Sequence, residues 1–232
     1  MKIVGIVPAA GSGKRMGGRI KKQFLSLNGL PILVRSILAL TKCSLINELV
    51  VVSGPDELDY VADLVKEYNL EKVKTVVAGG KERQDSVLAG LFQVKDADYI
   101  LIHDAVRPFV QTDLIEKVIE AAFQYGAAVL GVPVIDTIKQ ADIQEGVVES
   151  TLDRSKLWAI QTPQVFAFEL LQKAYQNAQA LGLMGTDDAF LVEQIGGKIK
   201  IVPGDYDNIK ITTKRDLLLG KLILKERSGD CE

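Results

Sequence analysis

A chain of 232 residues, 47% hydrophobic and 25% charged, has the length and mix of one globular α/β domain able to bury a core without disulfide or metal support. Its net charge of −2 argues against a general nucleic-acid binder, and no apolar run approaches the ~20 residues that a membrane helix needs. Two distant cysteines, Cys43 and Cys231, do not make a disulfide framework and point to a reducing, cytoplasmic setting.

Ile3–Val7 is a short apolar run that leads into Gly and basic residues, so it reads as a buried strand and not as a signal peptide. Pro31–Leu40 follows as a helix opened by Pro. Leu49–Ser53, Val73–Ala78, Tyr99–His103, Ala127–Val132 and Ile199–Val202 are further apolar, β-branched runs. Between and after them, Pro55–Tyr68, Asp85–Phe92, Asp113–Phe123, Phe168–Leu181 and Thr213–Leu224 carry apolar residues at helical spacing. Strand alternating with helix predicts a single α/β domain over residues 1–232, with a mostly parallel, Rossmann-like twisted sheet covered by helices on both faces. One segment breaks the rhythm. Thr137–Gln140 and Val147–Thr151 flank Ala141–Gly146 and read as a hairpin, an arm spanning 134–157. A two-stranded hairpin is barely stable alone, so it must fold back on its own domain or pack on a second subunit. The residues leave both open.

The stretch after the first strand carries the chemistry. No Asp or Glu precedes Glu48, whereas Lys2, Lys14, Arg15, Arg19, Lys21, Lys22, Arg35 and Lys42 all do. Such asymmetry suggests an anion site, although a solvated basic face is the plainer reading of charge alone. Pro8-Ala9-Ala10-Gly11-Ser12-Gly13-Lys14-Arg15 begins where a strand ends, the edge at which open α/β sheets bind ligands. Gly11 and Gly13 are expected to take positive φ and to turn N–H groups toward phosphate oxygens. The P-loop pattern fails because Arg15 occupies its hydroxyl position. The dinucleotide fingerprint fails because Gly17 is four residues after Gly13 and no acid follows at its required distance. Arg15 and Lys22, with no acid to neutralise them, favour phosphate binding.

The opening Pro8–Gly17, followed by Lys22-Gln23-Phe24-Leu25, resembles nucleotidyltransferases that activate sugars and polyols. Later segments narrow the resemblance. They are Gly79–Val87, His103-Asp104-Ala105-Val106-Arg107-Pro108, Asp136-Thr137-Ile138-Lys139, Asp153-Arg154, Gln161-Thr162-Pro163-Gln164, Thr186-Asp187-Asp188-Ala189 and Asn208–Thr213. In this order they resemble the 2-C-methyl-D-erythritol 4-phosphate cytidylyltransferases of the non-mevalonate isoprenoid pathway, over nearly the whole chain. Ribitol-5-phosphate cytidylyltransferases share the nucleotide half, and Asp153-Arg154 with Thr186–Ala189 match them less well. A non-catalytic nucleotide-binding module on the same fold is the rival from another class. Lys21 stands where the family usually has Pro.

The resemblance implies transfer of a cytidylyl group from CTP to a phosphorylated sugar alcohol, with Mg²⁺ as cofactor and a homodimer formed through the hairpin arm. It places Arg15 and Lys22 at the transferring phosphate as the catalytic residues. Ala9, Ala10, Gly11, Gly13 and Ala105 would lie against the nucleotide, and Gly80 and Ser86 would read the cytosine. Asp104 ends an apolar strand at the sheet's carboxyl edge, where it would hold the ribose hydroxyls or a Mg²⁺. Arg154 and Lys210 would take the substrate's phosphate, and Thr137, Thr162 and Thr186 would offer hydroxyls to the polyol. Thr137 and Arg154 would act across the dimer interface. A phosphate monoester with a second pKa of ~6 is mostly a dianion near neutrality, so the attacking group needs no base. The only histidine, His103, then reads as a hydrogen-bonded strand-end residue, and Arg107 as a brace for its loop. Trp158, Tyr175 and Glu193 are given no chemistry.

Overall fold

The computed structural model describes residues 1–11 and 20–228. Gly13, Arg15 and Cys231 lie outside the described residues. The chain runs through β1 (Ile3–Pro8), β2 (Ser26–Leu27), β3 (Leu30–Pro31), α1 (Ile32–Thr41), β4 (Glu48–Ser53), α2 (Leu58–Glu67), β5 (Val73–Ala78), α3 (Arg83–Leu91) and β6 (Tyr99–Ile102). It continues through α4 (Thr112–Tyr125), β7 (Ala127–Pro133), β8 (Lys139–Ala141), β9 (Val148–Thr151), β10 (Trp158–Ala167), α5 (Phe168–Leu181), α6 (Asp188–Glu193), β11 (Lys200–Pro203) and α7 (Lys214–Ser228).

Seven strands form one sheet in the order β11-β7-β10-β6-β1-β4-β5. All neighbours are parallel except β10, which is antiparallel to both β6 and β7. The strands expected from the sequence are nearly unbroken apolar runs because both faces of the sheet are covered. Along β1, Ile3 and Val7 pack against α1 and α4, while Val4 and Ile6 pack on the opposite face against α3, with α5 and α6 in the same core. Leu49 and Val51 alternate with Val50 and Val52 in the same way along β4. A third, smaller core joins Leu27, Ile32, Val106, Phe109, Ile211 and Ile223, and secures the loop after β6 to α7.

The chain leaves β1 for β4 and β5 on one side, then returns through α3 to β6 on the other. That reversal opens a crevice at the carboxyl ends of β1 and its neighbours, the usual ligand position in an open sheet.

β10 corrects the sequence reading, which placed no strand between the hairpin and Phe168. Its middle, Gln161-Thr162-Pro163-Gln164, is polar and contains a proline, features that argue against a central strand. The sheet accommodates them by an irregularity: the pairing with β7 shifts register between Ile160 and Gln164. The polar side chains released from the ladder turn to the crevice loops. α6 is a second addition, six residues long and too short for a periodic signal.

The hairpin forms as expected. Gly146 closes it at φ 69, and the Asp142 carboxylate accepts from the N–H groups of Gln144 and Glu145. Every residue of β8 and β9 is exposed. Ile143 at its tip is 96% exposed, with Ile135, Val147 and Val148 also open.

Candidate active site

A cleft of about 240 Å³ lies at the reversal point, between the carboxyl ends of β1, β5 and β6. One wall is made of small residues and backbone: Ala9, Ala10 and Gly11 after β1, Gly80 after β5, and Ala105 after β6. Ser86 lies on the same wall, buried in α3, with its hydroxyl donating to the carbonyl of Glu82 at 3.1 Å. Gly79 sets the closeness of these parts. A Cβ there would come within 2.6 Å of Ser86 Oγ and 2.7 Å of Ala10 Cβ, so any side chain would push this wall apart. Gly11, in contrast, does not take the positive φ expected of it, and a Cβ there would meet none of the described residues within 4 Å.

The other wall is cationic, with Lys22, Arg83 and Lys210 on it. Asp104 organises it. Its carboxylate lies 3.2 Å from Arg83 Nε, 3.4 Å from Arg107 Nε and 2.9 Å from Lys210 Nζ. Burial alone would raise its pKa, but Arg83, Lys210 and Arg107 hold it well below the usual carboxylate range. Arg83 also reaches Asp188 Oδ2 at 2.7 Å, and Tyr175 donates to Asp188 Oδ1 at 2.6 Å. Burial disfavours the Arg83 cation, yet Asp188 and Asp104 outweigh it and hold the guanidinium more firmly protonated than usual. Burial, and then the Asp188 charge, raises the Tyr175 hydroxyl well above its ordinary value.

Behind Asp104 stands a buried relay. The Asp104 N–H donates to Thr162 Oγ1 at 3.0 Å, and the Thr162 hydroxyl lies 3.1 Å from His103 Nδ1. His103 Nε2 lies 2.9 Å from the carbonyl of Arg107, an acceptor only, so the neutral ring carries its proton on Nε2 and accepts from Thr162 at Nδ1. Burial pushes His103 down to about 4. Its proton is therefore fixed in place, in keeping with a hydrogen-bonded strand-end residue. Arg107 braces the loop by donating to the carbonyl of Asn208 at 2.8 Å. Asn208 donates to Gln161 and to the Thr162 carbonyl, and Ile211 donates to the Val106 carbonyl. These contacts dock residues 208–211 on the β6 loop and hold Lys210 over Asp104.

The cleft thus gathers Ala9, Ala10, Gly11, Lys22, Gly80, Ser86, Asp104, Ala105 and Lys210. The remaining expected residues that are described lie elsewhere. Thr162 lies behind the wall with its hydroxyl engaged by Asp104 and His103. Thr186 is exposed just ahead of α6, which Asp187 caps by accepting from the Phe190 N–H at 2.9 Å. Thr137 is exposed at the base of the hairpin. Arg154 donates to the Ile135 carbonyl and lines a more open cavity of about 510 Å³ with Pro133, Asp153 and Trp158. Asp104 does not fit a Mg²⁺ ligand in this arrangement, because both its oxygens already face cations. Among the described residues, no group of three His, Cys, Asp or Glu could hold a metal ion.

This geometry, a small-residue wall facing a cationic one, suits a nucleoside triphosphate. Comparison with known proteins decides the family. The sequence profile of the 2-C-methyl-D-erythritol 4-phosphate cytidylyltransferases matches residues 3–226. The chain belongs to this family. Among 2-C-methyl-D-erythritol 4-phosphate cytidylyltransferases, that of Syntrophus aciditrophicus is 45% identical over 98% of this chain and 98% of its own. That of Alkaliphilus metalliredigens is 46% identical over 100% of this chain and 97% of its own. The crystal structure of 4-diphosphocytidyl-2C-methyl-D-erythritol synthase from Anaerococcus prevotii superposes with a TM-score of 0.86 at 30% identity, covering 97% of this chain and 96% of that one. The fold is accordingly that of the family, and the chain is an enzyme, a cytidylyltransferase.

Sequence reasoning missed three parts of this cytidylyltransferase site: Arg83, Asp188 and Gly79. Arg83 carried a signal. It occupies the first turn of α3, where the helix dipole disfavours a cation, so a carboxylate had to be nearby. Asp188, buried in a short helix, and Gly79, which shapes the wall by lacking an atom, fall in segments that carry the family resemblance, but nothing local in the sequence gave either a role.

Proposed function

We propose that the cleft binds CTP and that the enzyme transfers its cytidylyl group to 2-C-methyl-D-erythritol 4-phosphate, releasing pyrophosphate. The observation that carries this reading is the pairing of a close backbone wall with a wall that carries Lys22, Arg83 and Lys210 at the sheet's reversal point, in a chain of this family. The small wall of Ala10, Gly80 and Ser86 suits the close approach of a pyrimidine base. An oxygen of the substrate's phosphate forms a bond to the α-phosphorus of CTP as the bond from that phosphorus to the bridging oxygen breaks. Pyrophosphate keeps the electron pair, and no proton need move. The work left to the protein is electrostatic. Arg15 and Lys22 stabilise charge at the α-phosphate, and Lys210 and Arg154 bind the sugar phosphate. Asp104 presets the cations rather than reacting. Thr162 acts through the Asp104 backbone, while Thr137 and Thr186 offer hydroxyls to the polyol.

A Mg²⁺ bound with the triphosphate would supply charge neutralisation there, since this ion prefers phosphate oxygens as ligands. The arm 134–157 pairs with a second copy of this chain, bringing Thr137 and Arg154 to the partner's cleft. Its exposed Ile143, Val147 and Val148 support this, because such residues on a lone hairpin need cover. A reducing cytoplasm suits a chain whose Cys43 is buried as a free thiol. The test is pyrophosphate release from CTP in wild type, Arg15→Ala and Lys22→Ala. Each variant is expected to lose at least ~100-fold in kcat, the scale of removing a main charge-stabilising donor. Near-normal kcat in both would remove these residues from the mechanism.

A further inference from the structure

Lys21 precedes the single helical turn Lys22–Phe24, and its side chain leaves the cleft for the rim of the sheet. Lys21 Nζ lies 2.5 Å from Glu57 Oε1, with the two side chains 33% and 15% exposed. The pair sits over Gly54, the residue after β4, where a Cβ would approach Glu57 Oε2 to 2.6 Å and Lys21 Nζ to 3.1 Å, so the two side-chain ends pack directly on this glycine. Glu57 is itself fixed to that rim, since its N–H donates to the Gly54 carbonyl at 3.0 Å.

The residues on the far side of Lys22 are tied down separately. Gln23 is buried and donates from Nε2 to the carbonyls of Ala9 at 2.7 Å and Gly11 at 3.2 Å. Phe24 meets Tyr60 of α2 edge-on at 5.0 Å between ring centroids. Lys22 therefore stands between two anchors, and the one before it is an ion pair. A lysine ammonium sits on a flexible four-carbon stem, so the position of its backbone decides how well it can be aimed.

We infer that Lys21 is a positioning residue, whose ion pair with Glu57 fixes the chain entering Lys22 and so holds the Lys22 ammonium toward the cleft. The inference rests on the reading of Lys22 as the group that stabilises the transferring phosphate. Because that charge develops in the transition state, loss of the anchor lowers kcat and leaves the KM for CTP nearly unchanged. The backbone at Lys21, φ −65 and ψ 145, is one that proline adopts, which separates anchoring from charge.

The experiment compares Lys21→Met, Glu57→Gln, their double variant, Lys21→Pro and Lys22→Ala for pyrophosphate release from CTP and 2-C-methyl-D-erythritol 4-phosphate. Lys21→Met and Glu57→Gln are each expected to lose about five- to tenfold in kcat, with KM for CTP within about twofold, on the scale of one half-buried ion pair. The double variant should lose no more than either single one. Lys21→Pro should recover kcat to within about threefold of wild type, because a fixed chain replaces the anchor. Single variants within twofold of wild-type kcat, multiplicative losses in the double, or a Pro variant as poor as Met would each overturn the inference while leaving the Lys22 reading intact. A Lys22→Ala variant with normal kcat would overturn both.

Discussion

Arg83→Met tests whether the cationic wall is held by buried charge. Arg83 Nη1 is 2.7 Å from Asp188 Oδ2, and the Asp188 side chain is 1% exposed. Methionine keeps much of the volume and removes the charge. Asp104 retains Arg107 and Lys210, so the cost falls on Asp188, left as a buried carboxylate with Tyr175 as its hydrogen-bond donor. Removing one partner of a buried pair costs about 3–5 kcal/mol. At roughly 2–4 °C per kcal/mol for a chain of this size, Tm should fall by about 6–20 °C. Thermal unfolding followed by circular dichroism at pH 7 reads this directly. Adding Asp188→Asn should restore a substantial part of the loss, because a neutral amide no longer demands a counter-charge. A single-variant loss below about 2 °C, or a double variant less stable than the single, would refute the reasoning.

Further predictions concern the relay, the nucleotide wall and the sugar site. His103 has a folded pKa of about 4 against 6.5 unfolded, so its contribution is present above pH 6.5 and lost as pH falls toward 4. At 1.36 kcal/mol per unit the loss is about 3 kcal/mol, and His103→Gln should flatten the pH dependence of the urea midpoint across that window. Parallel profiles for the two proteins would contradict it. Gly79→Ala places a Cβ 2.6 Å from Ser86 Oγ and should raise the KM for CTP about tenfold, with the sugar KM within about threefold. Lys210→Ala should do the reverse, weakening the sugar phosphate about tenfold or more while CTP affinity holds. Size-exclusion with light scattering should find a dimer, and Ile143→Asp with Val148→Asp should shift it toward monomer.

The parallel half of the fold was legible because both faces of those strands are covered, so Leu49–Ser53 and Tyr99–His103 read as unbroken apolar runs. β10 was illegible because Pro163 and its polar neighbours sit at a register shift, where the ladder makes no demand on them. Asp104 was placed at the sheet's carboxyl edge by its position after an apolar run, which held. Its three cations come from α3, its own loop and the segment before α7, and nothing local in the sequence joins them. For that reason this arrangement does not suit the Mg²⁺ role expected of Asp104. The Thr162 hydroxyl was read as substrate-facing because a threonine beside a proline in a polar stretch resembles a loop residue. Burial within β10 instead turns it to the Asp104 backbone. Lys21, which the sequence left without a role, became intelligible only once Glu57 was seen across from it.

The most direct test of the account is a substrate panel read by pyrophosphate release, with CTP or ATP against 2-C-methyl-D-erythritol 4-phosphate or ribitol 5-phosphate in the presence of Mg²⁺. Turnover with CTP and 2-C-methyl-D-erythritol 4-phosphate, at least ~100-fold above every other pair, is the predicted result. Turnover of ribitol 5-phosphate in its place, or CTP binding with no turnover of either sugar phosphate, would contradict it.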